Sequence, residues 1–275
     1  MKANLSKSPI QPKPADHDGF TLVELLVVLG VIAVLIAVEL PVLAGAKSQT
    51  KIGVCASHVR QLVLACQIYA NEYNNRLPVL APPGSATWAW DLPFNATSVL
   101  LKSGATTNVF YCPGTAPRFT DWENFEDKSA PYRNLWDYGA NSANPSLGFH
   151  VTGYVFTFSG VSSLVIVSNQ NTTMLPEPPK MFSSGNSYYP DIPANADRVL
   201  VADATISSPA GGIYAQRYTY NYLYVQGGFY KPHVSPHLKG AFPAGGNLGF
   251  KDGHVAWRKF DDMNQRCNGG QSFWW

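Results

Sequence analysis

Apolar positions along the chain follow two periods, and the first is helical. From Leu25 to Val38 no charged, proline or strongly polar residue interrupts the run, and the apolar stretch extends from Phe20 to Leu43. A helix needs roughly 20 such residues to cross a hydrocarbon core. Immediately downstream, Ile52, Cys55, Val59, Leu62, Cys66, Tyr69 and Tyr73 recur at three- and four-residue steps. That spacing puts them on one face of a helix. Asn74-Asn75 and Pro78 then close the pattern. The prediction is one helix from about Phe20 to Asn74, apolar all round in its first half and one-sided in its second. Pro41 should loosen it, because proline removes a backbone donor and crowds the preceding turn.

The second period is that of strands. Alternating or compact apolar runs bounded by turn residues occur at Val151–Phe158, Leu164–Val167, Arg198–Ala202, Tyr214–Val225, Leu248–Lys251 and Val255–Phe260. Asp252-Gly253 separates the last two and predicts a tight two-residue hairpin turn with positive φ, hence an antiparallel sheet. Tyr218, Tyr220, Tyr222 and Tyr224 alternate within one run, which would line four rings along one strand face. Between Ala81 and His150 the chain is turn-rich, with Trp88, Trp90, Trp122 and Trp136 as aromatic anchors, and no element is assigned there.

Composition narrows the setting. Of 275 residues, 14% are charged, below the roughly 25% typical of soluble proteins. The net charge of +2 gives no reason to expect a nucleic-acid partner. Lys2, Lys7 and Lys13 precede the apolar run, so the N-terminus is expected in the cytoplasm and the remainder across the membrane. The predicted organisation is a leader at 1–19, a transmembrane helix at 20–46, the outer half of the stem at 47–75 and a globular domain at 76–275. Ala44-Gly45-Ala46 would also suit a secretory cleavage site. Against that reading, Glu24 interrupts the apolar core and a helical pattern resumes directly after Ala46. A carboxylate inside a membrane segment is costly when unpaired, so Glu24 asks for a partner.

Gly19-Phe20-Thr21-Leu22-Val23-Glu24 followed by an apolar run resembles the N-terminus of type IV prepilins and type II secretion pseudopilins. The resemblance implies that a prepilin peptidase cuts between Gly19 and Phe20 and methylates the new N-terminal Phe20. Glu24 then becomes the fifth mature residue and Pro41 the twenty-second, positions that the family uses for assembly and for a loosened helix. Cys55-Ala-Ser-His-Val-Arg-Gln-Leu, Gln67 to Pro78 and Phe110-Tyr-Cys-Pro113 resemble a group of large pseudopilin-like proteins. A C-terminal motif of that group is His, nine residues, then Asp-Gly. Here Asn247, Asp252, Gly253 and His254 match its end, while fourteen residues separate His237 from Asp252 and leave the role of His237 open.

Cys55, Cys66, Cys112 and Cys267 all follow the membrane segment, where disulfides persist. Cys55 and Cys66 share a helix face but stand roughly 16 Å apart along its axis. Bridged cysteines need Cα atoms within about 7 Å, so the expected pairs are Cys55 with one of Cys112 and Cys267, and Cys66 with the other. No Cys-x-x-Cys or histidine-rich spacing marks a zinc site, and no metal ligand is assigned. Asp203, His233, His237, Asp252 and His254 form the candidate polar set, too poor in carboxylates for calcium, the one cation kept in view. No cofactor and no enzymatic activity are expected.

These readings converge on an α+β fold: a long N-terminal helix, half transmembrane, packed on an antiparallel sheet in the pilin manner. The resemblance implies a single-pass inner-membrane subunit with its C-terminal domain in the periplasm or in a fibre. Its implied partners are the prepilin peptidase, other pseudopilin subunits and the inner-membrane secretion platform. The alternative is an anchored or exported module that binds carbohydrate or a partner protein through the tyrosine face.

Overall fold

The structure is a computed structural model that describes residues 20–80, 88–115, 135–136, 148–160, 171–176, 198–208, 214–226, 232–266 and 271–275. The chain divides into two units, one ending at Ala46 and one spanning Lys47–Trp275.

Helix α1 runs from Leu22 to Glu72 and contains Pro41. Its N-terminus is closed by a reciprocal cap. The Glu24 backbone N–H donates to Thr21 Oγ1 at 3.3 Å, while the Thr21 N–H donates to Glu24 Oε2 at 2.9 Å. The Thr21 hydroxyl also donates to that oxygen, at 2.7 Å. Thr-x-x-Glu is the sequence form of such a capping box, which satisfies donors that the first helical turn leaves open. Downstream, Leu22 to Leu43 are exposed all round, and the helix is long and apolar enough to cross a membrane.

Within Lys47–Trp275, α1 behaves differently. Cys55, Val59, Leu62, Val63, Ala65, Cys66 and Ala70 are buried on one face. The helix ends as its asparagines predict, with Asn74 and Asn75 at φ 53° and 61° and the Asn75 N–H returning to Ala70 O at 2.7 Å. Beyond it come β1 (Asp91–Pro93), α2 (Phe94–Lys102), β2 (Phe149–Val151), β3 (Tyr154–Phe156), β4 (Val199–Asp203) and β5 (Thr205–Ser207). The remaining strands are β6 (Leu238–Lys239), β7 (Phe242–Pro243), β8 (Gly245–Phe250), β9 (Val255–Lys259) and β10 (Ser272–Trp274).

The main sheet is antiparallel in the order β3-β4-β8-β9, and β1-β2, β5-β10 and β6-β7 form separate antiparallel pairs. The fold is therefore α+β and pilin-like, a long N-terminal helix with antiparallel sheet. Helix and sheet meet closely at Gly249. A Cβ there would stand 2.5 Å from Val63 Cγ2 and 2.7 Å from Val59 Cγ1.

Three sequence expectations change. The run Val151–Phe158 is two strands, broken at Thr152-Gly153. The β8-β9 connection is a turn from Phe250 to Gly253, closed by the Gly253 N–H on Phe250 O at 3.0 Å. In it Gly253 takes φ 97° and Asp252 keeps negative φ, so it is a three-residue loop and not the tight two-residue form. The tyrosine run is not a strand: Tyr214–Thr219 is a 3-10 helix. Arg217 holds it there by donating to Phe260 O and Asp261 O, both at 2.6 Å. Tyr220 and Tyr222 then enter a small core with Phe260, Met263 and Trp274, while Tyr218 and Tyr224 stay exposed. The predicted strand Leu164–Val167 and Trp122 lie outside the described residues.

Candidate functional site

Four segments far apart in sequence each deliver one polar side chain to a single buried point. Cys55 comes from the inward face of α1, and Cys112 from the turn after a short 3-10 helix at Thr107–Phe110. Asp203 ends β4, and His237 immediately precedes β6. The Cys55 thiol donates to Asp203 Oδ1 at 3.0 Å, and His237 Nε2 lies 3.3 Å from both Asp203 Oδ2 and Cys112 Sγ. One donor atom from each of the four residues fits within 4.8 Å of the others, and all four residues are buried.

The surroundings are arranged around those atoms. Asn247 N–H donates to Asp203 Oδ2 at 2.6 Å, and the Asn247 side-chain amide donates to Ile52 O at 3.1 Å, tying β8 to α1 beside the cluster. Gly114 N–H reaches Cys112 Sγ at 3.3 Å, and the Tyr154 hydroxyl reaches Cys55 Sγ at 3.5 Å. Gly114 also has to be a glycine, since a Cβ would come within 2.8 Å of the His237 ring. His237 itself sits at φ 52°, a left-handed conformation uncommon for a side-chain-bearing residue. Its carbonyl accepts the Ala244 N–H at 2.9 Å, so β6 and β7 form a small hairpin that absorbs the long spacing between His237 and Asp252.

Electrostatics follow from burial and proximity. Burial disfavours the His237 imidazolium, but hydrogen bonds to Asp203 and Cys55 together with the Asp203 charge prevail and raise it to about 10. Burial, joined by Cys55 and Asp203, pushes the Cys112 thiol well above its ordinary range.

The remaining sequence candidates are placed elsewhere. His233 packs with the Trp90 ring, centroids 4.5 Å apart, and burial lowers its pKa to about 4. Asp252 and His254 pair with each other at 2.6 Å on the exposed β8-β9 turn. Slight burial opposes ionisation of Asp252, but the backbone N–H and imidazole of His254 hold its carboxyl below the usual range.

Cys66 is buried and apart from the cluster, its thiol driven upward by burial, and Cys55, Cys66 and Cys112 are all free. Cys267 lies outside the described residues, as does Gly19. The cysteines expected to pair as disulfides are therefore partly redirected: Cys55 and Cys112 do meet, but as thiols in company with an acid and an imidazole. No metal ligands are assigned from the sequence, and those four side chains could hold a metal ion. Short spacing motifs had no means of finding the set, since Cys55 and Asp203 are 148 residues apart and Cys112 and His237 are 125 apart.

At the N-terminus of α1, Phe20 is exposed and Glu24 is held by Thr21 at the start of an apolar run that no described residue buries. Comparison with the curated proteins finds no match, and comparison with the solved structures finds none. Residues 15–38 match the family described as the prokaryotic N-terminal methylation motif, so the chain carries the prepilin-type segment typical of pilin and pseudopilin precursors.

Proposed function

We propose that the protein is a structural subunit that assembles through α1 into a fibre of the type II secretion pseudopilus or type IV pilus kind. Prepilin peptidase cuts between Gly19 and Phe20 and methylates Phe20, and other pilin-like subunits and the inner-membrane platform are its partners. The N-terminus begins in the cytoplasm, and the domain lies in the periplasm or on the fibre. The observation that carries this reading is the first half of α1. Its apolar side chains from Leu22 to Leu43 are exposed on every side, and only lipid or the same helices of neighbouring subunits cover such a surface without cost. The tyrosine face on which a binding module would have relied does not form.

Mass spectrometry of the mature N-terminus tests the processing step, with N-methylated Phe20 expected and an intact leader, or a start at Lys47, counting against it. Glu24 tests assembly. In the monomer its carboxylate closes the helix cap; in a fibre, the new amino group of Phe20 on a neighbour offers it an opposite charge in a low-dielectric setting. Glu24→Gln keeps a capping box, because glutamine serves at that position, but removes the charge. Glu24→Val removes both. Both variants should insert normally and fail to enter sheared fibres when each is the sole copy. Fibre entry by Glu24→Gln alone would reduce Glu24 to a helix cap.

A further inference from the structure

We propose that Cys55, Cys112, Asp203 and His237 bind one zinc ion as a closed, tetrahedral structural site. The donor set is two sulfurs, one imidazole nitrogen and one carboxylate oxygen, the mixture that suits zinc and not a hard cation such as calcium. With Zn–S near 2.3 Å and Zn–N or Zn–O near 2.0–2.1 Å, a tetrahedron has donor–donor edges of about 3.3–3.8 Å. The observed separations are 3.0 Å for Cys55 Sγ to Asp203 Oδ1 and 3.3 Å for Cys112 Sγ to His237 Nε2, while His237 Nε2 stands 3.3 Å from the second carboxylate oxygen, Oδ2. The remaining donor pairs lie within 4.8 Å, so shifts of up to about 1 Å bring the set to tetrahedral edges.

The second layer is also in place. A metal thiolate is stabilised by donors to sulfur, and Gly114 N–H and the Tyr154 hydroxyl point at the two sulfurs. Asn247 N–H fixes one carboxylate oxygen and leaves Oδ1 facing Cys55. Four protein ligands fill a tetrahedron and leave no open position, which makes the ion a cross-link and not a catalyst. It would tie α1, the Cys112 turn, β4 and the segment before β6 at one point. Binding displaces to solvent the protons held on the two thiols and on the ligating His237 nitrogen, so no oxidant or reductant is involved.

The competing fate is a disulfide between Cys55 and Cys112, which gives up two electrons and two protons to an oxidant and leaves Asp203 and His237 facing an uncharged bridge. A disulfide calls for neither of them. Their side chains are nevertheless 0% and 2% exposed and aimed at the sulfurs, which is what a shared ligand requires.

The test uses the full-length protein in detergent, purified without chelator, with metal content measured by plasma mass spectrometry and thiols mapped by non-reducing peptide analysis. Wild type should hold about one zinc per chain, and Cys112→Ser, Asp203→Asn and His237→Asn should each lose at least about tenfold in zinc affinity. Asparagine tolerates the backbone of His237, and Asp203→Asn preserves shape, so circular dichroism should find both variants folded. Cys66→Ser, the buried thiol outside the cluster, should bind zinc as wild type does. Cobalt(II) added to zinc-stripped wild type should give thiolate-to-metal charge transfer and the intense visible bands of a tetrahedral site. A Cys55–Cys112 disulfide in the isolated protein, no zinc uptake by the reduced protein, or zinc that survives both Asp203→Asn and His237→Asn would overturn the proposal. None of these readouts depends on leader cleavage or fibre assembly.

Discussion

Leu29 and Leu62 belong to the same helix, yet Leu29 is 58% exposed and Leu62 is fully buried. Identical side chains on one continuous backbone thus meet opposite surroundings. Around Leu62, Val59 and Val63 press on β8, and the apolar face is used up inside the chain. Around Leu29 no described residue covers the apolar surface. Burial stabilises a fold only where the partner belongs to the same molecule, so the two halves should respond to mutation in different assays.

The sharpest contrast is truncation. Leu62→Ala should cost about 2–5 kcal/mol of unfolding free energy through lost burial and a residual cavity. Leu29→Ala should leave unfolding of Lys47–Trp275 unchanged within about 0.5 kcal/mol. Chemical denaturation of full-length protein in detergent measures both, and equal losses would break the comparison.

Next in size is a pH effect confined to the packed region. His233 has a folded pKa of about 4, against about 6.5 when unfolded. Between those values the unfolded chain holds a proton that the fold excludes, so stability is full above about 6.5 and falls as pH drops towards 4. The difference amounts to about 3–4 kcal/mol. His233→Phe, retaining a ring against Trp90, should flatten that part of the stability profile relative to wild type. An unchanged slope would mean that His233 is not the group responsible.

A smaller effect is expected at the helix–sheet contact. Gly249→Ala places a methyl group where Val59 and Val63 already stand, and overpacking of this kind costs about 1–3 kcal/mol. A neutral result would show that α1 is free to move away from β8.

The smallest effect belongs to the helix cap. Thr21→Ala removes the hydroxyl and should speed amide exchange over the first turn of α1 without moving the unfolding midpoint of the packed region. A lowered midpoint would mean that the cap and the core are energetically coupled after all.

The elements that were legible in the sequence are those whose causes are local. The limits of α1, its two faces and its end at Asn74-Asn75 follow from spacing and from two asparagines that tolerate left-handed φ. Strands β4, β8 and β9 follow from short apolar runs next to turn residues, and the Thr21–Glu24 cap is readable in four consecutive letters once the helix start is known. The tyrosine run failed because alternation alone cannot see Arg217 capturing the carbonyls of Phe260 and Asp261, a contact that replaces the strand with a 3-10 turn.

The amino-acid sequence by itself determined the membrane-length helix, the prepilin-type segment at 15–38, the inward placement of Cys55 and the antiparallel β8-β9 hairpin. Each depends on residues within a few turns or one hairpin of one another. Only the tertiary structure decided that Cys55 and Cys112 would meet Asp203 and His237, while Cys66, His233, Asp252 and His254 went elsewhere. The physical reason is range. Propensity and periodicity act between near neighbours, whereas a buried polar cluster forms only when separate segments have closed their loops and lost water together.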